Sequence, residues 1–303
     1  MKLLITGAWR ADEAQINAIR ELGHEVNLMP DERGELPCAA EDIEGVICNG
    51  LFLYHPIEAF TKLSYIQLTS AGYDRVPMDI VKSRGIIKNA RGVYSIPMAE
   101  FALCGVLSLY KQSRFFYENQ KASRWEKHRG LMELCGKTVC IVGCGSVGTE
   151  CAKRFSAFGC HVIGVDLTPY ENPAYEKMLP LAELDAALSE SDITVLTLPL
   201  TDETKHLMNA DRFARMKKGS VLVNIARGAI VDTEALMTAL STTLMGAVLD
   251  VFEEEPLPPE SPLWQQENVI LTPHNSFVGD NVSERLSDLI ISNISTLKRE
   301  GRM

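Results

Sequence analysis

The sequence predicts an α/β protein of two domains, each built on a largely parallel sheet and one of them doubly wound. Three observations carry that expectation. The 303 residues amount to two domains at roughly 100–200 residues each. Short apolar runs alternate with segments of helical spacing, the pattern of βαβ units rather than of hairpins. Finally, six such runs follow one another between Thr138 and Leu271, with room for the crossover helices that parallel strands require.

In the first hundred residues the strand candidates are Leu3–Thr6, Glu25–Leu28, Gly45–Cys48, Tyr65–Thr69 and Ile86–Ile87. Between the first two, Ala11 to Leu22 carries Ala14, Ile16, Ala18, Ile19 and Leu22 at helical spacing, closed by Gly23 as a C-cap. These short βα units suit a flavodoxin-like sheet. A helix from about Pro97 through Gln112 follows, with proline placed in its first turn. The second strand series is Thr138–Val142, His161–Val165, Ile193–Leu198, Ser220–Ile225, Leu244–Leu249 and Val269–Leu271. Helices fit at about Val147–Phe158, Leu181–Leu188 and Thr233–Leu240, and six strands so connected match the doubly wound Rossmann sheet. A last helix, about Asp280 to Lys298, is expected to return to the first domain. The division is therefore 1–97 with 275–303, and 98–274.

Composition excludes several classes. With 30 Lys+Arg against 40 Asp+Glu the formal charge is −10, the wrong sign for a nucleic-acid binder. Hydrophobic residues at 46% exclude wholesale disorder. The longest apolar run, Phe101 to Tyr110, falls well short of the roughly 18 residues a bilayer span needs. The apolar run at Leu3–Ile5 is too short for a signal peptide and reads as a first strand. Eight Cys residues form no C-x-x-C pair, and Cys48, Cys104 and Cys140 sit in apolar stretches. That usage suits reduced thiols in a cytoplasmic protein better than disulfides or a zinc site.

The sharpest local signal is Gly143-Cys144-Gly145-Ser146-Val147-Gly148, a G-x-G-x-x-G directly after a strand and opening a helix. The glycines allow a tight turn, close approach of a pyrophosphate and close helix–strand packing, while the helix start offers free N–H groups. Eighteen residues beyond Gly148 the next strand runs into Asp166. A carboxylate there accepts hydrogen bonds from ribose hydroxyls and repels a 2′-phosphate, which favours NAD over NADP.

Four more segments lie where strands end: Thr197–Thr201, Asn224–Gly228, Asp250–Pro256 and Thr272–His274. Ligands of open α/β sheets bind at such ends, so an Arg, a Glu and a His can converge there. Each has a plainer explanation as well: a structural ion pair for Arg227, a solvated acidic loop at Glu253–Glu255, a strand-end His satisfied by backbone at His274. The other five histidines have no comparable context, and Glu253 and Glu254 read as surface.

Taken together and in order, G-x-G-x-x-G, the acidic strand end, N-x-A-R-G, D-V-F-x-x-E-P and P-H resemble the D-isomer-specific 2-hydroxyacid dehydrogenase family. Met216 to Asp232 fits that family's signature closely, and the resemblance covers nearly the whole chain. It implies a flavodoxin-like substrate domain formed by both chain ends, with an inserted Rossmann NAD-binding domain and no room for an appended regulatory domain. It also implies a homodimer through the cofactor domains, for which Pro97 to about Arg129, with Phe115, Phe116, Tyr117 and Trp125, is the candidate surface.

By the same resemblance, His274 is the general acid/base, imidazole being the side chain suited to both giving and taking a proton. Glu255 is its acidic partner, and Arg227 binds the substrate carboxylate and polarises the carbonyl. Cofactor contacts are expected from Gly143, Gly145, Ser146, Val147, Gly148, Asp166, Pro199, Thr204, Ile225, Ala226 and Asp250. Substrate contacts are expected from Asn49, Ala71 and Gly72 as well as Arg227. Two departures stand out: Asn275-Ser276-Phe277 replaces a glycine-rich turn after the His, and Asn49 stands near where some relatives place an Arg. The expected reaction is reduction of a small unphosphorylated 2-keto acid, such as glyoxylate, hydroxypyruvate, pyruvate or a branched acid. The alternatives are a phosphoglycerate-type dehydrogenase and an NAD-binding corepressor-like regulator.

Overall fold

The computed structural model describes residues 1–77 and 85–299. The chain divides into two compact units, Met1–Tyr94 with Gly279–Met303, and Ser95–Val278. The breaks fall at Tyr94/Ser95 and Val278/Gly279, a few residues from those expected, for local reasons. Helix α2 (Ser95–Tyr110) already includes Ser95 and Ile96 ahead of Pro97. At the other break, the N–H groups of Asn275 and Ser276 are held by the Asp250 carboxylate, which keeps them with the second unit.

In the first unit, β1 (Lys2–Thr6), β2 (Glu25–Met29), β3 (Gly45–Cys48), β4 (Tyr65–Leu68) and β5 (Ile86–Lys88) form a parallel sheet of order β2-β1-β3-β4-β5. That is the flavodoxin-like order. Alternation of side chains along a strand divides the core in two. Leu3, Ile5, Ile47 and Tyr65 face one layer, and Leu4, Val46, Cys48, Ile66 and Leu68 the other. Helix α1 (Glu13–Glu21) starts at a capping box between Asp12 and Gln15 and buries Ile16 and Ile19 in the first layer. The same layer receives the last helix, α8 (Val282–Arg299), through Leu286, Ile290, Ile294 and Leu297. Their spacing makes one apolar stripe. Polar bonds fix its register: Trp9 Nε1 donates to Ser287 Oγ at 2.9 Å, and Asn293 Nδ2 donates to the buried Gln67 at 2.9 Å.

The second unit holds seven parallel strands, not six. They are β6 (Thr138–Val142), β7 (His161–Asp166), β8 (Lys177–Pro180), β9 (Ile193–Leu196), β10 (Ser220–Asn224), β11 (Leu244–Leu249) and β12 (Val269–Leu271), ordered β12-β11-β10-β9-β6-β7-β8. The unforeseen strand is the edge strand β8, four residues ending in proline, a residue sheets tolerate at an edge. Helices α2 and α4 (Ser146–Ala157) cover one face. The other is covered by α5 (Leu184–Glu190), α6 (Ala210–Arg215) and α7 (Thr233–Thr242). Helix α3 (Ser113–Lys121) lies inside the segment read only as a candidate interface. The six-residue α6 depends on its Asn209 cap, whose side chain accepts from Arg212 N at 3.1 Å. Strands β9 and β10 stop one or two residues before the expected ends, because the chain turns there to present the groups described next.

Candidate active site

The glycine loop after β6 is shaped by contacts that exclude a side chain. Gly143 has φ +95°, and a Cβ on it would lie 2.6 Å from Leu198 N. A Cβ on Gly148 would lie 2.2 Å from Gly143 O, the oxygen to which Thr197 Oγ1 donates at 2.5 Å. Gly145 is the N-cap of α4, so Ser146 and Val147 open the helix with N–H groups that have no intrahelical acceptor. A turn this close to the sheet, opening onto free N–H groups at a positive helix end, fits a dinucleotide pyrophosphate. The carboxylate of Asp166 closes the loop from β7, accepting from Cys144 N at 2.7 Å and Thr168 N at 3.2 Å. Tyr170 OH donates to Cys144 O at 2.6 Å. Burial pushes the Cys144 thiol up to about 12, so this sulfur packs and does not react.

At the end of β9, Pro199 is exposed while Thr204 is buried. The Thr204 hydroxyl donates to Pro199 O at 2.8 Å and accepts from Thr201 N at 2.7 Å. It braces the loop that presents Pro199. At the end of β10 the buried Asn224 side chain organises the turn, accepting from Ala226 N at 3.1 Å and donating to Arg227 O at 3.0 Å. Ile225 and Ala226 are buried. Arg227 is half-buried in extended backbone, with Nη1 donating to Ala226 O at 2.8 Å.

The ends of β11 and β12 are joined by Asp250. Its side chain is fully buried and accepts three hydrogen bonds: Thr272 Oγ1 at 2.7 Å, Asn275 N at 2.8 Å and Ser276 N at 2.9 Å. Its carbonyl also accepts from His274 N at 2.8 Å. Asp250, expected among the cofactor contacts, spends its carboxylate on the chain flanking the His, and so holds His274 at its positive φ of 50°. Two of those donors are main-chain N–H groups of the turn at Asn275-Ser276. From there His274 Nδ1 meets Glu255 Oε2 at 2.8 Å, and Glu255 Oε1 accepts from Phe252 N at 3.0 Å. Carboxylate and ring are 35% and 44% exposed, which leaves Nε2 reachable by a ligand. The edge of Phe277 lies beside the imidazole, ring centres 6.2 Å apart.

Sequence reasoning missed two further His–carboxylate pairs in this unit, one of them His161 Nδ1 with Glu176 Oε1 at 2.9 Å on the surface. In the other, Glu253, read as surface, meets His206 Nε2 at 2.5 Å and accepts from Thr233 Oγ1 at 2.5 Å. The two are 47 residues apart, and no local motif marks either one.

In the first unit, Ala71 is exposed and Gly72 half-buried. Their carbonyls accept from Asn89 Nδ2 at 2.6 Å and Ser70 Oγ at 2.9 Å, which braces the turn from behind. Asn49 behaves differently. Its N–H donates to Glu32 Oε1 at 2.7 Å, and its Oδ1 is buried without a partner among the described residues.

Known proteins resemble this chain. Residues 103–276 match the family model described as D-isomer specific 2-hydroxyacid dehydrogenase, NAD binding domain. A glyoxylate reductase from Thermofilum pendens is 34% identical over 290 residues, covering 91% of this chain and 85% of the relative. A chloroplastic D-3-phosphoglycerate dehydrogenase from Arabidopsis thaliana is 32% identical over 90% of this chain, which spans only 44% of that protein. Among solved structures, a D-isomer specific 2-hydroxyacid dehydrogenase from Xanthobacter autotrophicus Py2 in complex with NADPH and MES superposes with a TM-score of 0.83. It is 28% identical, over 99% of this chain and 95% of that one. A family model matching more than half the chain, and a relative one-third identical over nine-tenths of it, agree with the order of motifs along the strand ends. The chain belongs to the D-isomer specific 2-hydroxyacid dehydrogenase family.

Proposed function

We propose that the protein is an NAD-linked reductase of small 2-keto acids, with His274, Glu255 and Arg227 as its catalytic residues. The observation that carries this reading is the 2.8 Å bond between His274 Nδ1 and Glu255 Oε2, which points the opposite ring nitrogen away from its anchor. When bound, the nicotinamide supplies the hydride. In the reducing direction His274 Nε2–H gives its proton to the carbonyl oxygen; in the oxidising direction the same nitrogen takes it back. Glu255 stabilises the imidazolium and fixes the ring by holding the Nδ1 proton. Arg227 holds the substrate carboxylate and stabilises negative charge as it gathers on the reacting oxygen. Within the first unit, the N–H groups of Ala71 and Gly72 are the proposed neutral donors for a carboxylate.

The unit of residues 1–94 and 279–303 is then the substrate domain and 95–278 the dinucleotide domain. Gly143, Gly145, Ser146, Val147 and Gly148 hold the pyrophosphate, Pro199, Ile225 and Ala226 line the nicotinamide side, and Asp166 selects NAD by repelling a 2′-phosphate. Further support bears on assembly and location. The segment beyond α2 exposes Phe116, Tyr117 and, at 95%, Trp125, an apolar surface suited to a homodimer. All eight cysteines are free, and no described helix is long and apolar enough to cross a membrane, which suits the cytoplasm.

A panel of glyoxylate, hydroxypyruvate, pyruvate and branched 2-keto acids, each offered with NADH and with NADPH, tests the proposal. Oxidation of NADH by at least one acid, faster than of NADPH, is the expected result. NADH binding without turnover across the panel would replace the reductase by a cofactor-sensing regulator.

A further inference from the structure

In the second unit the turn after β7 closes on a single residue of the glycine loop. Cys144, between the first two glycines, has both main-chain polar groups taken by that turn. Its N–H donates to Asp166 Oδ2 at 2.7 Å, and its carbonyl accepts from Tyr170 OH at 2.6 Å. Residues 166–170 therefore cannot swing outward without breaking one of the two bonds. Asn172 supports the second bond, its Nδ2 donating to Tyr170 OH and to Thr149 Oγ1 of α4, both at 3.2 Å. The phenol oxygen thus donates on one side and accepts on the other. Within the turn, Thr168 N–H is taken by Asp166 Oδ1 at 3.2 Å. Tyr170 is 46% exposed, so its hydroxyl fastens the turn while its ring is no part of the core. A ribose 2′-phosphate needs a cation or free N–H groups just beyond the strand-end carboxylate, and room to reach them. Residues 167–176 contain no Lys or Arg, and Pro169 and Pro173 have no N–H to give. With the Asp166 charge removed, the bond from Tyr170 would still hold this wall closed.

We propose that Tyr170 is a positioning residue for cofactor choice: its hydroxyl keeps residues 166–170 shut on Cys144, and the shut turn rejects a 2′-phosphate in addition to the charge of Asp166. The inference rests on the NAD-linked reading and deepens it. The two barriers act on one turn and are therefore coupled. While Asp166 is present, releasing Tyr170 admits a phosphate only to a negative charge. Once Asp166 is gone, releasing Tyr170 lets the turn move and offer Thr168 N–H to the phosphate. Residues that share one network in this way do not act independently.

The test is a double-mutant cycle on binding. Kd for NADH and for NADPH is measured by fluorescence titration in the wild type, Asp166→Ala, Tyr170→Phe and the double variant. Phenylalanine keeps the ring and removes only the hydroxyl. The wild type should prefer NADH, Tyr170→Phe should keep that preference within about twofold, and Asp166→Ala should reduce it. The double variant should reduce it by roughly threefold to tenfold more than the product of the two single effects. Amide hydrogen exchange across residues 167–172 should also be faster in the double variant than in Asp166→Ala. A double variant equal to the product of the singles overturns the proposal, as does unchanged exchange. A hydroxyl that serves only general stability would weaken both dinucleotides alike and leave their ratio where it was, which also rejects the tether. No substrate enters the measurement, so a lack of 2-keto acid turnover strikes the reductase reading and leaves this result standing. A wild type with no preference for NADH strikes the NAD linkage and the tether together.

Discussion

The second unit carries two histidine–carboxylate pairs drawn from one acidic loop, and they differ in the nitrogen the carboxylate takes. Both histidines have left-handed backbone, φ 50° at His274 and 49° at His206. Both pairs are similarly exposed, with rings at 44% and 42%, so burial does not tell them apart. Glu255 takes Nδ1 of His274, the nitrogen nearer the backbone, and frees the distal Nε2. Glu253 takes Nε2 of His206, tying down the tip of the ring. The anchoring follows suit. His274 hangs on Asp250, whose carboxylate and carbonyl take bonds from residues 272–276. Glu253 instead links His206 to Thr233 at the start of α7, while His206 N donates to Ala229 O at 2.8 Å. One pair leaves its distal nitrogen open and the other ties its loop to the start of α7. Proximity of a His to a carboxylate is therefore a poor guide to chemistry, and the nitrogen left over is not enough either, since His161 Nδ1 also meets Glu176 Oε1 at 2.9 Å on the open surface; the strand-end anchoring through Asp250 is what sets His274 apart.

The largest effect that separates the two pairs is expected from His274→Ala. Loss of a general acid costs roughly 10²–10⁴ in turnover, and the glycine loop around Gly143–Gly148 is untouched, so NADH affinity measured by fluorescence titration should stay near that of the wild type. A kcat within a few-fold of the wild type would end the assignment. Equal damage from His206→Ala would end the distinction between the pairs.

Glu255→Gln sharpens the same comparison one step down. The amide keeps the shape and one acceptor oxygen, so the ring stays placed while the charge that favours the imidazolium is gone. Reduction needs the protonated ring. The alkaline limb of its pH–rate profile should consequently move to lower pH, with kcat at neutral pH down by roughly ten to a hundredfold. An altered kcat with an unmoved limb would mean that Glu255 acts only through packing. His206→Gln should leave the limb where it was.

These contrasts also show which features are readable from sequence. The strands around Val139–Val142 and Val221–Val223 are apolar runs rich in β-branched residues and bounded by turns, and the glycine pattern at 143–148 constrains itself locally. His274 and Glu255 sit inside short motifs, so their meeting is an expectation that local residues can carry. The edge strand at Lys177–Pro180 has neither length nor alternation to announce it. Tyr170 acquires its meaning from an acceptor 26 residues away, and Asp250 from donors 22 to 26 residues away. The bond from the Thr204 hydroxyl to Pro199 O is equally silent in the local sequence. In each of these cases the missing information is the tertiary register of loops, which no periodicity encodes.

The smallest expected effect belongs to His206→Gln, and it tests whether a fastening pair matters at all. A partly exposed ion pair is worth under about 1 kcal/mol once side-chain entropy and solvent screening are counted. A loss of that size lowers Tm by about 2–4 °C at most in a unit of this length. Catalysis should fall by less than about threefold, since His206 touches neither His274 nor the glycine loop. Glu253 and Glu255 nevertheless share one short turn, and any slack in it reaches the carboxylate that orients His274. Scanning calorimetry together with kcat and KM separates the two consequences. A Tm shift alone keeps the pair a local fastening. A fall in kcat at constant KM, with the pH limb unmoved, would show that His206 holds Glu255 in place through the turn, which makes it a positioning residue for the reaction.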